Sequence, residues 1–156
     1  MEITRKDLDE NNFFKDDRIE TDEKIIFKEG LGVVRVRKSI ITTKYILAGV
    51  GTGIEAGESI KAGWGIKASE SVEAGEGIEA GESIKAGTGI EAGWRIKAGE
   101  RIEASMGIIT FFNNITAKYI SCSRIVAGFN AKEKQTITAT IRRGDVILGK
   151  VVKPKE

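Results

Sequence analysis

The chain has 156 residues, of which 40% are hydrophobic and 31% are charged, and its formal net charge is +2. This length suits one domain with a continuous core, and a charge so close to balance implies neither a nucleic-acid partner nor a membrane partner. The single cysteine, Cys122, excludes an internal disulfide and fits a reducing compartment. The N-terminus lacks the apolar stretch of a signal peptide, and no apolar run approaches a membrane span, so we expect a cytoplasmic protein.

Residues 1–24 form a charged N-terminal segment in which Phe13 and Phe14 are the only large apolar pair. The strands predicted after this segment stack on one another, and the open end of such a stack presents unpaired backbone groups to any neighbour. We therefore expect the segment to act as a cap whose phenylalanines cover the first coil. A mobile tail is the alternative.

Strand-forming residues appear from Ile25 onward without a strict motif. Val34, Ile40 and Ile46 are spaced by six residues, whereas the step from Ile46 to Ile54 is eight. The longer step predicts an enlarged corner between those two strands.

A strict six-residue repeat occupies residues 53–105. An aliphatic residue starts each unit, alanine follows two positions later, and glycine or serine comes next. A period of six does not match the α-helix, which repeats every 3.6 residues and tolerates recurring glycine poorly. The aliphatic members, which we assign to the structural core, are Ile54, Ile60, Ile66, Val72, Ile78, Ile84, Ile90, Ile96 and Ile102.

The repeat predicts an all-β fold, a single-stranded parallel β-helix or solenoid. In an extended strand the aliphatic residue and the alanine point inward together, and the charged residue between them points outward. The glycine that follows supplies a corner. Three units then close one coil of about eighteen residues, and coils stack about 4.8 Å apart. We place the β-helix at residues 25–152, with its regular core at 53–105.

Irregular coils are expected at residues 106–152, where the period loosens. Ile115, Ile120 and Ile125 step by five residues, and the Arg-Gly-Asp run at 143–145 has the composition of a turn between two final strands. Residues 153–156 are expected to form a C-terminal tail.

Stacking in steps of eighteen places outward side chains in columns, and one of these columns is wholly acidic. Corner glutamates stack beside it, and two corner positions elsewhere held by glutamate or threonine carry tryptophan. Exposed tryptophan is enriched in binding hot spots. The candidate interaction face that results comprises Glu55, Glu58, Glu73, Glu76, Glu91, Trp64 and Trp94.

Three interpretations of the acidic column are open. Exposed carboxylates can extend into water, which screens their mutual repulsion. A basic partner surface is the second interpretation. Divalent cation binding is the third, although glutamates on a flat ladder lack the convergent geometry of a calcium site and residues 51–105 contain no aspartate. We assign no metal site and no cofactor.

The sequence contains no histidine, the commonest general base and metal ligand. It also contains no phosphate-binding loop, no nucleophile-elbow motif and no cysteine–histidine pair. The ladder holds glutamates and lysines in solvent rather than in a pocket. We therefore expect no enzyme activity and assign no catalytic residue.

The string A-G-E-S-I-K-A-G, within residues 46–105, resembles the repeats of bactofilin-type and related polymer-forming bacterial proteins. The resemblance implies a right-handed three-sided β-helix that is non-enzymatic and often assembles end to end. The left-handed hexapeptide-repeat acyltransferases and γ-class carbonic anhydrases fit less well. Their small inward residue lies two positions before the aliphatic one, whereas here alanine lies two positions after it.

Two classes of function follow from these features. The first is a structural or protein-interaction β-helix that self-associates through its coil ends or faces, as a homo-oligomer. The alternative is a phage-type inhibitor, such as an anti-CRISPR protein or a DNA mimic, whose acidic face binds a basic nucleic-acid-binding protein. Neither class binds nucleic acid directly or contacts a membrane.

Overall fold

The computed structural model describes residues 1–131 and 135–154, and the strands in this part of the chain form one continuous sheet. A short 3-10 helix, Arg5–Asp7, follows the first strand. In chain order the strands are β1 (Glu2–Ile3), β2 (Ile19–Thr21), β3 (Ile25–Phe27), β4 (Gly32–Val36), β5 (Ile40–Thr42), β6 (Ile46–Ala48), β7 (Thr52–Ala56), β8 (Ile60–Ala62), β9 (Gly65–Ala68), β10 (Val72–Ala74), β11 (Gly77–Ala80), β12 (Ser83–Ala86), β13 (Gly89–Ala92), β14 (Arg95–Ala98), β15 (Arg101–Ala104), β16 (Gly107–Thr110), β17 (Ile115–Ala127), β18 (Thr136–Leu148) and β19 (Lys150–Val152).

These strands wind into a parallel β-helix with three faces. The first face stacks β4, β7, β10, β13 and β16. The second face stacks β2, β5, β8, β11 and β14, and the third stacks β1, β3, β6, β9, β12 and β15. Strands β17 and β18 each cross all three faces in one turn, and β19 returns to the second face. The predicted all-β parallel β-helix is confirmed.

The interior is a stack of the inward-pointing aliphatic residues and alanines of the repeat. All nine predicted core residues, from Ile54 to Ile102, are at most 2% exposed. Ile115, Ile120 and Ile125 are fully buried as well, one on each face. The five-residue steps therefore keep the inward pattern of the six-residue repeat with one residue fewer at each corner.

The length of a turn changes along the stack. Ile54, Val72 and Ile90 lie in register at steps of eighteen residues. Val34 pairs with Ile54, a step of twenty, because the chain makes an enlarged corner that includes Gly51 at φ 67°. A positive φ suits glycine, which has no Cβ to clash with the backbone. The enlarged corner predicted before Ile54 is thus present.

The stack extends further toward the N-terminus than the expected start at residue 25. Ile19 of β2 pairs with Ile40, and β1 pairs with β3. These strands are only two and three residues long and have no repeated motif. A periodicity argument therefore could not detect them.

The rest of the N-terminal segment closes this end of the β-helix. Leu8 and Phe14 form an antiparallel bridge, and both are less than 8% exposed. Phe13 pairs with the backbone of Arg35, and the Arg37 guanidinium lies 5.0 Å from the centre of its ring. Leu8 and Phe14 supply the cover that a terminal turn of a solenoid requires.

The Arg-Gly-Asp run at 143–145 differs from the predicted turn, because it lies inside the continuous strand β18. Gly144 has φ 126° and bends the strand from the third face to the first. A Cβ at this position would lie 2.2 Å from the Cys122 carbonyl oxygen. The glycine signal was correct, but the chain bends while keeping its parallel pairing.

Glycine at most of the corners after alanine fits the short distance between turns, and serine takes the equivalent position at Ser69 and Ser105. A Cβ on Gly75 would lie 2.1 Å from the carbonyl oxygen of Gly57 in the turn below, and a Cβ on Gly93 would lie 1.9 Å from the oxygen of Gly75. The backbone amides of Gly75 and Gly93 also donate hydrogen bonds to the turn below. A side chain here would push the turns apart and break these hydrogen bonds.

Gly75→Ala should therefore destabilise the protein by about 1–3 kcal/mol, the range for overpacking a tight site. Gly89→Ala is the matched control, because its Cβ would lie no closer than 3.6 Å to the Gly107 carbonyl oxygen. Urea unfolding followed by circular dichroism measures both variants. Equal midpoints for the two would contradict the close-approach explanation.

Candidate interaction surfaces

The acidic column predicted from the repeat is present on the first face. Glu55, Glu73 and Glu91 occupy the same position of three successive strands. The column begins with Arg35, whose Nε lies 3.0 Å from Oε2 of Glu55. The sequence did not reveal this pair, because the turn below Glu55 has twenty residues and a step of eighteen points to the wrong position. One of the three column carboxylates is thus paired with an arginine.

The upper part of the column is electrostatically less favourable. Burial, together with the neighbouring charge of Glu73, raises the pKa of the Glu91 carboxyl above its usual value. Above Glu91 the column continues with Ile109 and Val126, which are only partly exposed and carry no charge. The face therefore changes from acidic to apolar toward the C-terminal end.

The adjacent corner stacks Glu58, Glu76 and Trp94, as predicted. Each donates its backbone N–H to the turn below, with 2.8 Å from Glu76 N to Glu58 O and 2.6 Å from Trp94 N to Glu76 O. The carboxylates accept hydrogen bonds from the hydroxyl groups of Ser39 and Ser59. Within the described residues, neither corner carboxylate forms an ion pair.

Trp94 is the lower end of an aromatic cluster that the sequence analysis did not predict. Its ring centre lies 6.1 Å from that of Phe112 in the next turn, and the Phe111 ring lies 6.0 Å from Phe129 one turn further. Trp94 and Phe112 are about half exposed, and Phe129 is 63% exposed. The signal was visible in the sequence, because Phe112 follows Trp94 by eighteen residues and the step of the repeat therefore places it on the same corner.

Trp64 lies on a different corner from Trp94, because its backbone bonds to Lys44 and Glu82 rather than to Glu76. Its ring packs edge-on against Tyr45 at 5.2 Å, and 51% of its surface is exposed. Its backbone N–H donates to the carbonyl oxygen of Lys44, and its carbonyl accepts from Glu82. The candidate face therefore divides into an acidic column with a corner containing Trp94, and a separate site at Trp64.

We next consider the side chains of the described residues that could act as a nucleophile or as metal ligands. Cys122 is buried, and burial raises its pKa to about 11, so that its thiol stays protonated at neutral pH. Within residues 1–131 and 135–154, no three acidic or cysteine side chains converge as a metal site requires. No helix in the same ranges has the length and apolar character of a membrane span.

At the C-terminal end of the β-helix, the described residues cover the interior only in part. Ile141 on the third face and Val146 on the first are only partly buried, and Val151, which pairs with buried Ile137 on the second, is 44% exposed. Ile147 beside them is 62% exposed. In the described residues, no strand pairs with the outer edge of β19 or with the outer edge of β18 beyond its start.

Comparisons with family models, with curated proteins and with solved structures find no match to this chain. The resemblance to bactofilins is therefore not confirmed at the level of a family. The structure supports the coarser statement, a parallel β-solenoid of about seven turns.

The raised pKa of Glu91 predicts a pH-dependent stability. The folded state holds this proton to a higher pH than the unfolded chain, so the free energy of unfolding falls as pH rises through and above 4.5. Glu91→Gln should raise the free energy of unfolding at neutral pH, by less than about 1 kcal/mol because the carboxyl is only partly buried, and the melting temperature should rise with it. Well below pH 4.5 it should change nothing.

Glu55→Gln is the matched control in the same column, because it removes a charge that Arg35 already neutralises. Thermal unfolding of both variants across the pH range is the measurement. A Glu91→Gln protein that melts below the wild type at neutral pH would show that the Glu91 charge is not a cost to folding.

Proposed function

We propose that this protein is a non-enzymatic structural β-helix that self-associates through its C-terminal end. The contrast between its two ends supports this proposal. Leu8 and Phe14 cover the first turn, whereas Ile141, Val146 and Val151 are left partly exposed at the last. The absence of histidine from the sequence supports the non-enzymatic part.

The energetics of a solenoid favour cover for such an end. Apolar surface removed from water contributes roughly 25 cal/mol per Å². An unpaired strand edge offers a row of N–H and C=O groups that another strand can pair with. The C-terminal end offers both together, so a second strand-bearing surface that meets it gains apolar burial and backbone hydrogen bonds at once.

Sedimentation velocity from low micromolar to submillimolar concentration tests the proposal. The wild type should form an oligomer as the concentration rises. Val151→Lys should remain monomeric, because a charged side chain would replace the exposed apolar one at the end. Val50→Lys is the matched control, since Val50 is 75% exposed on a corner far from this end.

Both variants should keep the melting temperature of the monomer, because neither valine is buried. A wild-type protein that stays monomeric throughout would contradict the proposal. Equal loss of association in both variants would place the contact elsewhere.

A second candidate function is binding of a basic nucleic-acid-binding protein by the acidic column and corner. The observation in its favour is that Glu73 and Glu76, within the described residues, have no cationic partner. Like charges held close on a rigid face resemble the spaced phosphates of a nucleic acid. A partner with clustered lysine or arginine fits such a face.

Displacement of a labelled DNA duplex from poly-L-lysine tests this second candidate. The wild type should compete with the duplex, and the double variant Glu73→Lys, Glu76→Lys should not. A double variant with the same change in net charge, Asp22→Lys with Glu29→Lys, alters exposed positions away from the column and should still compete. If both double variants compete equally, the competition with DNA depends only on net charge, and a specific acidic face is contradicted.

A further inference from the structure

We propose that the C-terminal ends of two copies join about a two-fold axis through the first face, and that association stops at this dimer. The inference rests on the proposed self-association and adds its symmetry and its limit. It depends on the spiral shape of the C-terminal end, on the chemistry of its edge, and on the covered N-terminal end.

The C-terminal end is a spiral step rather than a flat surface. The chain leaves the third face in β18, passes to the first face at residues 145–148, and finishes on the second face as β19. Because one turn rises about 4.8 Å, each face ends about 1.6 Å higher than the one before. The third face is the lowest, the first is intermediate and the second is the highest.

When the C-terminal ends of two copies meet, only one arrangement leaves the same distance between them on all three faces. When the first face meets the first face of a second copy, the highest face of each copy meets the lowest face of the other. The summed heights are then equal on all three faces. If the second face met itself instead, two high edges would touch while the other faces stayed apart by about one strand spacing.

The same arrangement suits the chemistry of the edge. A two-fold axis perpendicular to the first face makes the opposing strands antiparallel, so residues 145–148 pair with their own copies and β19 pairs with residues 140–143 of the second copy. Antiparallel strands exchange backbone hydrogen bonds perpendicular to the strands. Val151 of each copy then meets Ile141 of the other across the interior, and Val146 meets itself.

Association stops at two copies because the opposite end is closed. Ile3, Leu8 and Phe14 at the N-terminal end are all at most 7% exposed. A head-to-tail filament needs an uncovered interior at both ends, since its contacts are heterologous and repeat without limit. A two-fold contact uses the same surface on both copies and closes on itself.

The charges on the end give this dimer a characteristic salt dependence. Arg142 and Arg143 are exposed on the third face, and Lys150 is exposed on the second, so the two-fold pairing brings basic residues of the two copies together. Added salt screens this repulsion and should lower the dimer dissociation constant. A head-to-tail contact would instead place the basic end against residues 1–30, which hold ten acids and six bases, and salt would weaken it.

Single cysteines with a short bismaleimide cross-linker locate the axis. Ile147 lies on the first face beside the axis, so Ile147→Cys should give a covalent dimer. Lys150 lies at the start of β19, and its two copies sit at different corners of the dimer, so Lys150→Cys should not. Both side chains are exposed. The wild type, whose Cys122 is buried, is the control for background reaction.

Each outcome decides the inference. A covalent dimer from Ile147→Cys alone, with stronger dimerisation at higher salt, supports it. Cross-linking through position 150, at both positions or at neither, overturns the axis, and species larger than a dimer in sedimentation overturn the limit; in these cases self-association itself stands. Monomers at every concentration overturn the proposed function as well.

Discussion

Every feature of this protein depends on the close approach of one turn to the next. Parallel backbone hydrogen bonds hold successive turns about 4.8 Å apart. Most corners after alanine accommodate that distance with glycine, which has no side chain, and two of them do so with serine, Ser69 and Ser105. The hypothetical Cβ of Gly75 would lie 2.1 Å from the Gly57 carbonyl oxygen, closer than atoms can approach. Stacking distance therefore favours glycine at most of these corners, and the narrow interior favours an aliphatic residue and alanine on each face. What remains free to vary is the outside and the two ends.

The outer surface consequently consists of outward side chains that stack turn upon turn along the axis of the β-helix. Each outward side chain in the regular part is stacked between the side chains eighteen residues before and eighteen residues after it. A residue type that recurs at this spacing therefore forms a column. Glu73 and Glu91 illustrate the cost, because burial and the adjacent carboxylate raise the pKa of Glu91. Arg35 below Glu55 illustrates the remedy. The stacked strands hold the charges of such a surface at a fixed spacing.

The ends differ from the faces because they interrupt the hydrogen-bond ladder. At the N-terminal end the chain folds back and covers its own interior with Leu8 and Phe14. At the C-terminal end Val151 and the outer edge of β19 are exposed. This asymmetry, rather than any side-chain cluster on the faces, is what leads to the proposal of self-association. In the proposed assembly it also sets the limit, because among the described residues the interior at the N-terminal end is already covered.

The sequence by itself determined the fold, the inward residues and the columns between residues 53 and 105, because a strict period leaves only one register in which every aliphatic residue points inward. It also indicated the enlarged corner before Ile54. Only the tertiary structure decided the Arg35–Glu55 pair, the aromatic contact between Trp94 and Phe112, and the states of the two ends. The Arg35–Glu55 pair depends on a turn of twenty residues, and the two ends depend on strands that lack the repeat. Trp94 and Phe112 keep the eighteen-residue step, and their contact depends on how the two rings pack. Periodicity predicts neighbours where the period holds, and packing decides them where it does not.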